Sequence, residues 1–425
     1  MDGKSKLLNL LIVFVVVCAL ITACKNSEKD GSEKATNEKA TNDVISVTTQ
    51  DDSLNETIAP PDKMKTIYDK DGNKLGEIDG RARCTAVDDG IFYSIFQLGE
   101  EEHTTTAQYR LFRKADNTDI LLGNLKEQGY EADFCRTEFD GRIYTLAIQG
   151  YPLDHEPDDL VLLVFDPKAG MMKKQVISHD GFPYASMAIL NGKLLIMNQE
   201  LASTKHSTIY EYDPTTENVR AVINVPDAQQ GSLRAVCVSG DSVYLFRWKG
   251  GDGAEATIYL DQYDVNFQKK NEKVINDVLV KAISDVHGIM NRADAINELG
   301  YYITHFSITD DRYLHYENFA ITRVIVDLQT EETIFAKDDL YNGSNGGGVT
   351  LICRYDEDIA STDSSEIFRF EKGKIEPVDF HLQDHHKMVR SVSSAPNGTW
   401  LVTAVDEFSV SRFITQVSLT LLRSK

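Results

Sequence analysis

Short catalytic motifs are missing from this chain of 425 residues. It contains no G-x-S-x-G, no H-E-x-x-H, no phosphate-binding glycine loop and no C-x-x-C. Each of these motifs would point to a particular chemistry. Serine, histidine and acidic residues are plentiful, but no spacing selects a catalytic triad among them. The sequence therefore names no reaction and no cofactor.

Basic residues are also in short supply. Lysine and arginine together number 44 against 66 acidic residues, which gives a net charge of −22. Binding to nucleic acid without sequence preference needs a basic face that displaces counterions, and anionic surfaces repel a protein of this charge. The composition therefore argues against nucleic acid as a partner.

Cysteine is scarce, with six in the whole chain. Four of them follow the N-terminal apolar segment: Cys84, Cys135, Cys237 and Cys353. They lie in apolar, strand-like runs, so we expect small buried hydrophobic residues. Cys84 and Cys135 each stand six residues before a turn glycine, Gly90 or Gly141. A disulfide between them stays open as an alternative, provided that their Cα atoms reach the short spacing it requires.

The N-terminus has the layout of an export signal. Lys4 and Lys6 precede the charge-free run from Leu7 to Ala23, and Cys24 follows directly. A run of seventeen residues is at the short limit for crossing a bilayer, so an uncleaved anchor is the alternative.

The last four residues of this segment, Ile21-Thr22-Ala23-Cys24, resemble the lipobox of bacterial lipoproteins. The resemblance implies that residues 1–23 are a cleaved signal peptide and that Cys24 becomes the lipid-carrying N-terminus. Two acyl chains on one residue provide a stable anchor. The expected location is the extracytoplasmic face of a bacterial cell membrane, with the membrane as a partner through Cys24.

Residues 24–63 contain few apolar side chains, many charges and a duplicated EKATN, and Pro60-Pro61 lie near their end. Such a composition cannot form a core and predicts a disordered tether. The folded domain is therefore expected over residues 64–425.

A repeat of about fifty residues organises that domain. Runs such as VLLVFDPKAGMM and TIYEYDPTTENV place an acidic turn between two strand-like segments. The acidic turn residues are Asp116, Asp166, Asp213, Asp264, Asp327 and Glu371, at intervals of 50, 47, 51, 63 and 44. A second hairpin with a glycine turn lies between copies, at Gly90, Gly141, Gly192, Gly240, Gly300 and Gly398. We interpret the aspartates as turn formers, because their side chains can bond the turn backbone.

Four short strands in every fifty residues are typical of β-propeller blades. The sequence predicts an all-β fold with seven four-stranded blades, and six or eight blades are the alternatives. A β-sandwich is the main rival, but it has no reason to keep this register. The last unit has three strands, and a spare hairpin, Thr66 to Ile78, precedes the first. We therefore expect an N-terminal strand to complete the last blade and leave no open sheet edge. No kelch, WD40 or quinoprotein signature is present.

Histidines, His179 among them, gather in the segments predicted to connect strands at one face. The candidate binding face comprises His103, His155, Glu156, Asp158, Asp310, Asp311, Tyr313, His315, His385 and His386. Imidazoles titrate near pH 6.5, so binding there should depend on pH, and a divalent metal is a candidate ligand.

Three classes of function stay open. We favour a lipid-anchored binding or sensing module with a protein or glycan partner. An assembly subunit of a membrane complex comes second. An extracytoplasmic enzyme, for instance one acting on a cell-envelope glycan, comes third, because propellers can gather catalytic residues from several blades without a motif.

Overall fold

The computed structural model describes residues 64–423 apart from short gaps. The gaps are 70, 72, 99–103, 129, 150–157, 182–185, 200–205, 227–229, 252–253, 288–291, 300–302, 319–321, 339–340, 347–348, 355–366, 379–387 and 409–413. Residues 1–63, with the predicted signal peptide, Cys24 and the tether, lie outside the described residues. Among the residues described, no helix combines the length and the apolar character needed to cross a bilayer.

Strands dominate the described residues and form seven sheets. An N-terminal hairpin consists of β1 (Met64–Tyr68) and β2 (Lys74–Asp79). Sheet 1 contains β3 (Arg83–Val87), β4 (Gly90–Leu98), β5 (Thr104–Arg113) and β6 (Thr118–Gln128). Sheet 2 contains β7 (Tyr130–Phe139), β8 (Arg142–Gln149), β9 (Asp158–Asp166) and β10 (Met171–Gly181). Sheet 3 contains β11 (Ser186–Leu190), β12 (Lys193–Gln199), β13 (His206–Asp213) and β14 (Asn218–Pro226).

The remaining sheets follow the same order along the chain. Sheet 4 contains β15 (Ser232–Ser239), β16 (Ser242–Gly251), β17 (Ala254–Tyr263) and β18 (Lys269–Val274). Sheet 5 contains β19 (Ile303–Thr309), β20 (Tyr313–Asn318), β21 (Thr322–Asp327) and β22 (Glu332–Asp338). Sheet 6 contains β23 (Tyr341–Gly346), β24 (Val349–Arg354), β25 (Ile367–Glu371) and β26 (Lys374–Pro377). Sheet 7 contains β27 (Met388–Ser394), β28 (Thr399–Phe408), β29 (Ile414–Arg423) and the N-terminal hairpin.

Each of sheets 1 to 6 is an antiparallel meander, and we name its strands a to d in chain order. The a strands of successive sheets contact one another at β7 and β11, β11 and β15, β15 and β19, and β23 and β27. Serine side chains join them: the hydroxyl of Ser186 in sheet 3 accepts a hydrogen bond from the amide of Val236 in sheet 4 (3.3 Å). Repeated four-stranded meanders with adjacent a strands are the architecture of a β-propeller. The predicted all-β class and four-stranded unit are confirmed.

Apolar side chains fill the spaces between neighbouring sheets. Between sheets 1 and 2 the ring of Phe165 lies 5.1 Å from the ring of Phe92 and 4.7 Å from that of Tyr109, measured between centroids. All three side chains are fully buried. Each contributes roughly 1.5–3 kcal/mol through burial, so this packing holds adjacent sheets together.

Three of the cysteines in these sheets are described, and all three are free thiols. Cys84, Cys135 and Cys237 form no disulfide, so the Cys84–Cys135 alternative is wrong. The two side chains pack into different apolar clusters. Cys84 packs with the cluster of the N-terminal hairpin, whereas Cys135 packs with the cluster between sheets 2 and 3. Burial raises the pKa of Cys135 to about 11 and also raises that of Cys84. Both thiols therefore stay protonated. Both residues are half-buried, whereas Cys237 is buried as expected.

Five aspartates hold the c–d turns through their own side chains. A carboxylate oxygen accepts a hydrogen bond from the main-chain amide two residues later, at 2.9 to 3.2 Å, in Asp116, Asp166, Asp213, Asp264 and Asp327. Their interpretation as turn formers is confirmed. At Glu371 the turn is made instead by Lys372 and Gly373, whose φ angles are 50° and 78°.

Glycine supplies the positive φ angle at most a–b turns. The predicted positions are confirmed at Gly90, Gly141, Gly192, Gly240 and Gly398. The prediction is wrong for Gly300, which lies outside the described residues. The a–b turn of sheet 5 is formed by Asp310 and Asp311, with φ angles of 56° and 51°. Aspartate tolerates this left-handed conformation better than most residues, so no glycine is needed there.

Two helices interrupt the repeat between sheets 4 and 5, α1 (Asn276–His287) and α2 (Arg292–Leu299). Their insertion explains the long interval of 63 residues and was not expected in an all-β chain. Apolar residues of α1 recur three or four positions apart and pack into the core of these sheets: Val278, Leu279, Ala282 and Ile283. Asn276 fixes the start of α1, because its side chain accepts a hydrogen bond from the amide of Ile258 (2.7 Å).

The first and last strands of the domain pair within sheet 7, whose order is β2-β1-β29-β28-β27. Strand β1 runs parallel to β29, with Thr66 opposite Ser418, and β2 pairs antiparallel with β1. The sequence predicts one N-terminal strand in this sheet, and the whole hairpin joins it.

Candidate functional site

The two ends of the sheets carry very different connections. We call the end with the a–b and c–d connections the turn end, and the end with the b–c and d–a connections the loop end. Connections at the turn end are two to five residues long. Those at the loop end range from a single residue between β6 and β7 to much longer segments, and the longest are 150–157, 275–302, 355–366 and 378–387. Because long connections carry variable side chains on a fixed scaffold, the loop end is the candidate functional surface.

The structure describes only some of the residues in the predicted binding face. Several of its residues lie outside the described residues: His103, His155, Glu156, His385 and His386. Asp158 is the first residue of β9, so its backbone is at the loop end as predicted.

Asp310 and Asp311 lie at the opposite end from the one predicted. They form the a–b turn of sheet 5, at the turn end. Asp311 there joins two sheets: its amide donates to the hydroxyl of Ser239 (2.9 Å), and its carboxylate accepts from the hydroxyl of Tyr244 (3.1 Å). The error arises because Gly300 was taken as the turn, which shifted the assignment of the strands that follow.

Tyr313 and His315 lie within strand b of sheet 5 and are buried, so their assignment to an exposed loop is wrong. The Nε2 atom of His315 is 3.0 Å from the hydroxyl of Thr309, and its ring is 4.8 Å from that of Phe370 in sheet 6. Burial, together with the nearby Arg323 guanidinium, lowers the pKa of His315 well below its usual range. This histidine stays neutral and cannot provide the predicted pH dependence.

One histidine that the sequence assigned to a d–a segment is exposed at the loop end. The side chain of His179, near the end of β10, is 83% exposed. Its Nδ1 atom lies 2.8 Å from a carboxylate oxygen of Asp159, at the start of β9. This histidine–aspartate pair borders residues 150–157, which contain His155 and Glu156.

A row of polar side chains crosses sheet 5 at its loop end. His305, Glu317 and Arg323 are direct register partners on strands a, b and c, so they share one face. Arg323 is completely buried and forms an ion pair with Glu317. Burial and the Arg323 charge lower the pKa of His305 to about 3.

This row provides hydrogen-bonding groups and the Arg323–Glu317 ion pair. It provides no histidine that changes its protonation state near neutral pH. Half-buried His305 and buried His315 both stay neutral there, and a buried ion pair needs both partners to be tolerated. Glu317 and Arg323 were not predicted as site residues from the sequence. The available signal was their position directly before and after the same b–c connection, where a strand pair brings opposite charges together.

Metal binding has no support from the described part of the chain, where no three histidine, cysteine, aspartate or glutamate side chains form a ligand set. The divalent metal considered from the sequence therefore stays an expectation for the connections outside the described residues.

Comparisons with known proteins find distant structural similarity and no family. No family model and no curated protein match the chain. The β-propeller domain of the Trilobed protease from Pyrococcus furiosus is 11% identical, with a TM-score of 0.40, over 68% of this chain and 80% of that one. Acylaminoacyl peptidase from Pyrococcus horikoshii is 11% identical, with a TM-score of 0.41, over 68% of this chain and 44% of that one.

A chain of the Mitotic Checkpoint Complex is 7% identical, with a TM-score of 0.39, over 94% of this chain and 100% of that one. This chain spans less than half of the acylaminoacyl peptidase. None of these similarities assigns a ligand, a partner or a reaction to it.

Proposed function

We propose that the seven sheets form one closed seven-bladed propeller. The pairing of β1 with β29 supports this, because it joins the two ends of the domain. Hydrogen bonds between sheets 7 and 1 support it as well: the amide of Ala86 donates to the hydroxyl of Ser393 (2.9 Å), and the amide of Asn397 donates to the carboxylate of Asp88 (2.9 Å). A closed ring leaves no unpaired sheet edge at the seam.

The function that this architecture supports best is binding. We propose a lipid-anchored, extracytoplasmic binding or sensing module that presents its loop end to a protein or glycan partner. The supporting observation is that the longest connections, such as 275–302, all lie at the loop end, whereas the turn-end connections have two to five residues. The anchor is Cys24, as the lipobox resemblance implies.

The anchor is tested by metabolic labelling with a fatty acid. Cys24→Ala should lose the label and leave the precursor uncleaved, because the thiol accepts the lipid. Equal labelling of wild type and variant would end the lipoprotein proposal.

The binding surface is tested by capture of partners from native membranes with two matched triple variants. One replaces His103, His155 and His179 by alanine at the loop end. The other replaces Thr215, Asn218 and Gln329 by alanine, all exposed at the turn end. The loop-end variant should lose the captured partner at least tenfold, and the turn-end variant should retain it. The reverse pattern would refute the assignment.

A comparison at pH 5.5 and 7.5 tests the pH dependence. We propose His103 and His155, which lie outside the described residues, as the source of that dependence, because His315 stays neutral. Equal capture by wild type at both pH values would remove histidine titration from the proposal and leave the loop end itself to be judged by the triple variants.

A further inference from the structure

An exposed arginine lies on the innermost strand of sheet 1, at the loop end. Arg83 is the first residue of β3, and its guanidinium carbon is 5.3 Å from the centroid of the Phe96 ring on β4. Its residue surface is exposed, although the neighbouring residues Ser94 and Phe92 are fully buried. The aromatic ring holds one face of the guanidinium and leaves its N–H groups directed along the plane of the group.

Arg83 differs from other arginines of the same sheet in its charge partners. Arg110 pairs with Asp119 (3.1 Å), and Arg113 pairs with Asp116. Within the part of the chain that the structure describes, no carboxylate forms an ion pair with Arg83.

A second arginine reaches the same face of sheet 1 from sheet 2. Arg136, on strand a of sheet 2, donates hydrogen bonds to the carbonyl oxygen of Arg83 (2.9 Å) and to the hydroxyl of Thr85 (3.2 Å). It also contacts the Ser94 hydroxyl, and its guanidinium carbon is 5.2 Å from the Phe92 ring. Two positively charged side chains therefore lie beside the start of β3, and together they attract an anion more strongly than either alone.

Sheet 4 offers an internal comparison. Arg234, on its a strand, lies with its guanidinium carbon 5.3 Å from the ring of Trp248 on strand b, the same type of stacking. Arg234 is half-buried, whereas Arg83 is exposed. Stacking alone therefore does not account for the access that solvent has to Arg83.

From these contacts we infer an oxyanion-binding site at Arg83, beside Arg136, at the loop end of the inner strands. The ligand group is a carboxylate or a phosphate, which a planar guanidinium binds through two parallel hydrogen bonds. The Phe96 ring holds the guanidinium in place. This inference rests on the proposed function, because it gives the chemical class of a group that the binding module would recognise.

The experiment is calorimetric titration of the folded chain with sodium succinate and, separately, with inorganic phosphate, at low ionic strength. Arg83→Gln removes the charge from an exposed side chain and should weaken binding at least tenfold. Arg83→Lys keeps the charge without the planar fork and should bind with intermediate affinity. The matched control is Arg113→Gln, which should bind as wild type does. Arg113 is a partly exposed arginine of the same sheet and already pairs with Asp116.

Binding of succinate alone would assign a carboxylate, binding of phosphate alone a phosphate, and binding of both the shared oxyanion chemistry. Absence of binding by wild type, or equal binding by Arg83→Gln, would overturn the inference. It would also be overturned if binding appeared only after Glu100, Glu101 and Glu102 were changed to glutamine, because the chain's own carboxylates would then be the occupants. Capture of a membrane partner that survives Arg83→Gln would reject this site and leave the proposed function standing.

Discussion

The carboxylate of Glu138 accepts a hydrogen bond from the main-chain amide of Asp88, with 2.6 Å between the nitrogen and Oε2. The bond joins strand a of sheet 2 to the a–b turn of sheet 1. Burial raises the pKa of Glu138 to about 7, the Asp88 amide opposes the rise, and the carboxylates of Asp88 and Asp89 add to it. A neutral Glu138 is therefore favoured in the folded protein.

The stability of the domain should consequently fall between pH 4.5 and about 7. The folded-state pKa of Glu138 lies above its ordinary value of 4.5, so its contribution is complete below pH 4.5 and is lost as the pH rises through about 7. Glu138→Gln keeps the acceptor without the charge and should gain about 1 to 2 kcal/mol at pH 8, allowing for partial exposure.

Urea unfolding of wild type and Glu138→Gln at pH 5 and pH 8 measures this effect. Asp140→Asn, in the adjacent turn, removes a carboxylate that is exposed and serves as the control. The prediction would be contradicted if the difference in free energy of unfolding between wild type and Glu138→Gln were the same at pH 5 and pH 8.

The turn aspartates predict the opposite dependence on pH. In sheet 5 the carboxylate of Asp327 accepts hydrogen bonds from Arg312 (2.9 Å to Nε) and from the amide of Gln329 (2.9 Å). These bonds lower the pKa of Asp327, and the Arg312 bond is the largest cause. Its contribution is therefore complete above pH 3.8 and is lost as the pH falls further.

Asp327→Asn should destabilise the domain by about 1 to 2 kcal/mol at pH 7, the scale of a hydrogen bond to a charged group. The asparagine still accepts from the turn amide, so Asp327→Ala should cost more. Thermal melts from pH 7 to pH 3 check this. The difference between wild type and Asp327→Asn should shrink below pH 3.8, because the unfolded wild-type chain then binds a proton that the folded protein does not. A constant difference over that range would argue against the ion pair.

Replacing buried His315 and exposed His179 by alanine should have different effects on the stability of the domain. His315→Ala leaves a cavity beside Phe370 and deprives the Thr309 hydroxyl of its partner, so we expect a loss of about 2 to 4 kcal/mol in the free energy of unfolding. His179→Ala, at a side chain that is 83% exposed, should leave stability unchanged. Thermal melts decide between this result and the earlier interpretation of His315 as a loop residue, which would leave both variants as stable as wild type.

Local chemistry explains which parts of the fold could be predicted from the sequence. The bond from a turn aspartate such as Asp213 to an amide two residues later lies entirely within the turn, so the sequence contains all of its determinants. The a–b turns at Asp140-Gly141 and Asn191-Gly192 are local in the same way. The two helices were missed because the strand repeat was assumed to continue through residues 276–299.

The site was predicted less well because burial depends on distant partners. His315 is covered by Phe370, which belongs to the next sheet, and alternation along β20 does not reveal which face of sheet 5 is polar. The interaction of Arg83 with Arg136 likewise joins two sheets across 53 residues of sequence. Segment position indicated the loop end correctly for Asp158 and His179, where the strand boundaries were right.

The seam between the chain's two ends should control the stability of the whole domain. Ile67 in β1 and Ile78 in β2 are almost completely buried in a cluster that also contains Phe112 of sheet 1 and Leu401 of sheet 7. Deleting residues 64–79 removes this packing and the β1–β29 pairing together. We expect a drop of many degrees in melting temperature, and about 2 to 5 kcal/mol from Ile67→Ala alone, through loss of buried surface and the cavity left behind. Deleting residues 25–60 should leave the melt unchanged, and Lys74→Ala, at an exposed position of the same hairpin, is the point control. If the 64–79 deletion melts with wild type, the hairpin does not close the ring, and the proposed seven-bladed arrangement fails with it.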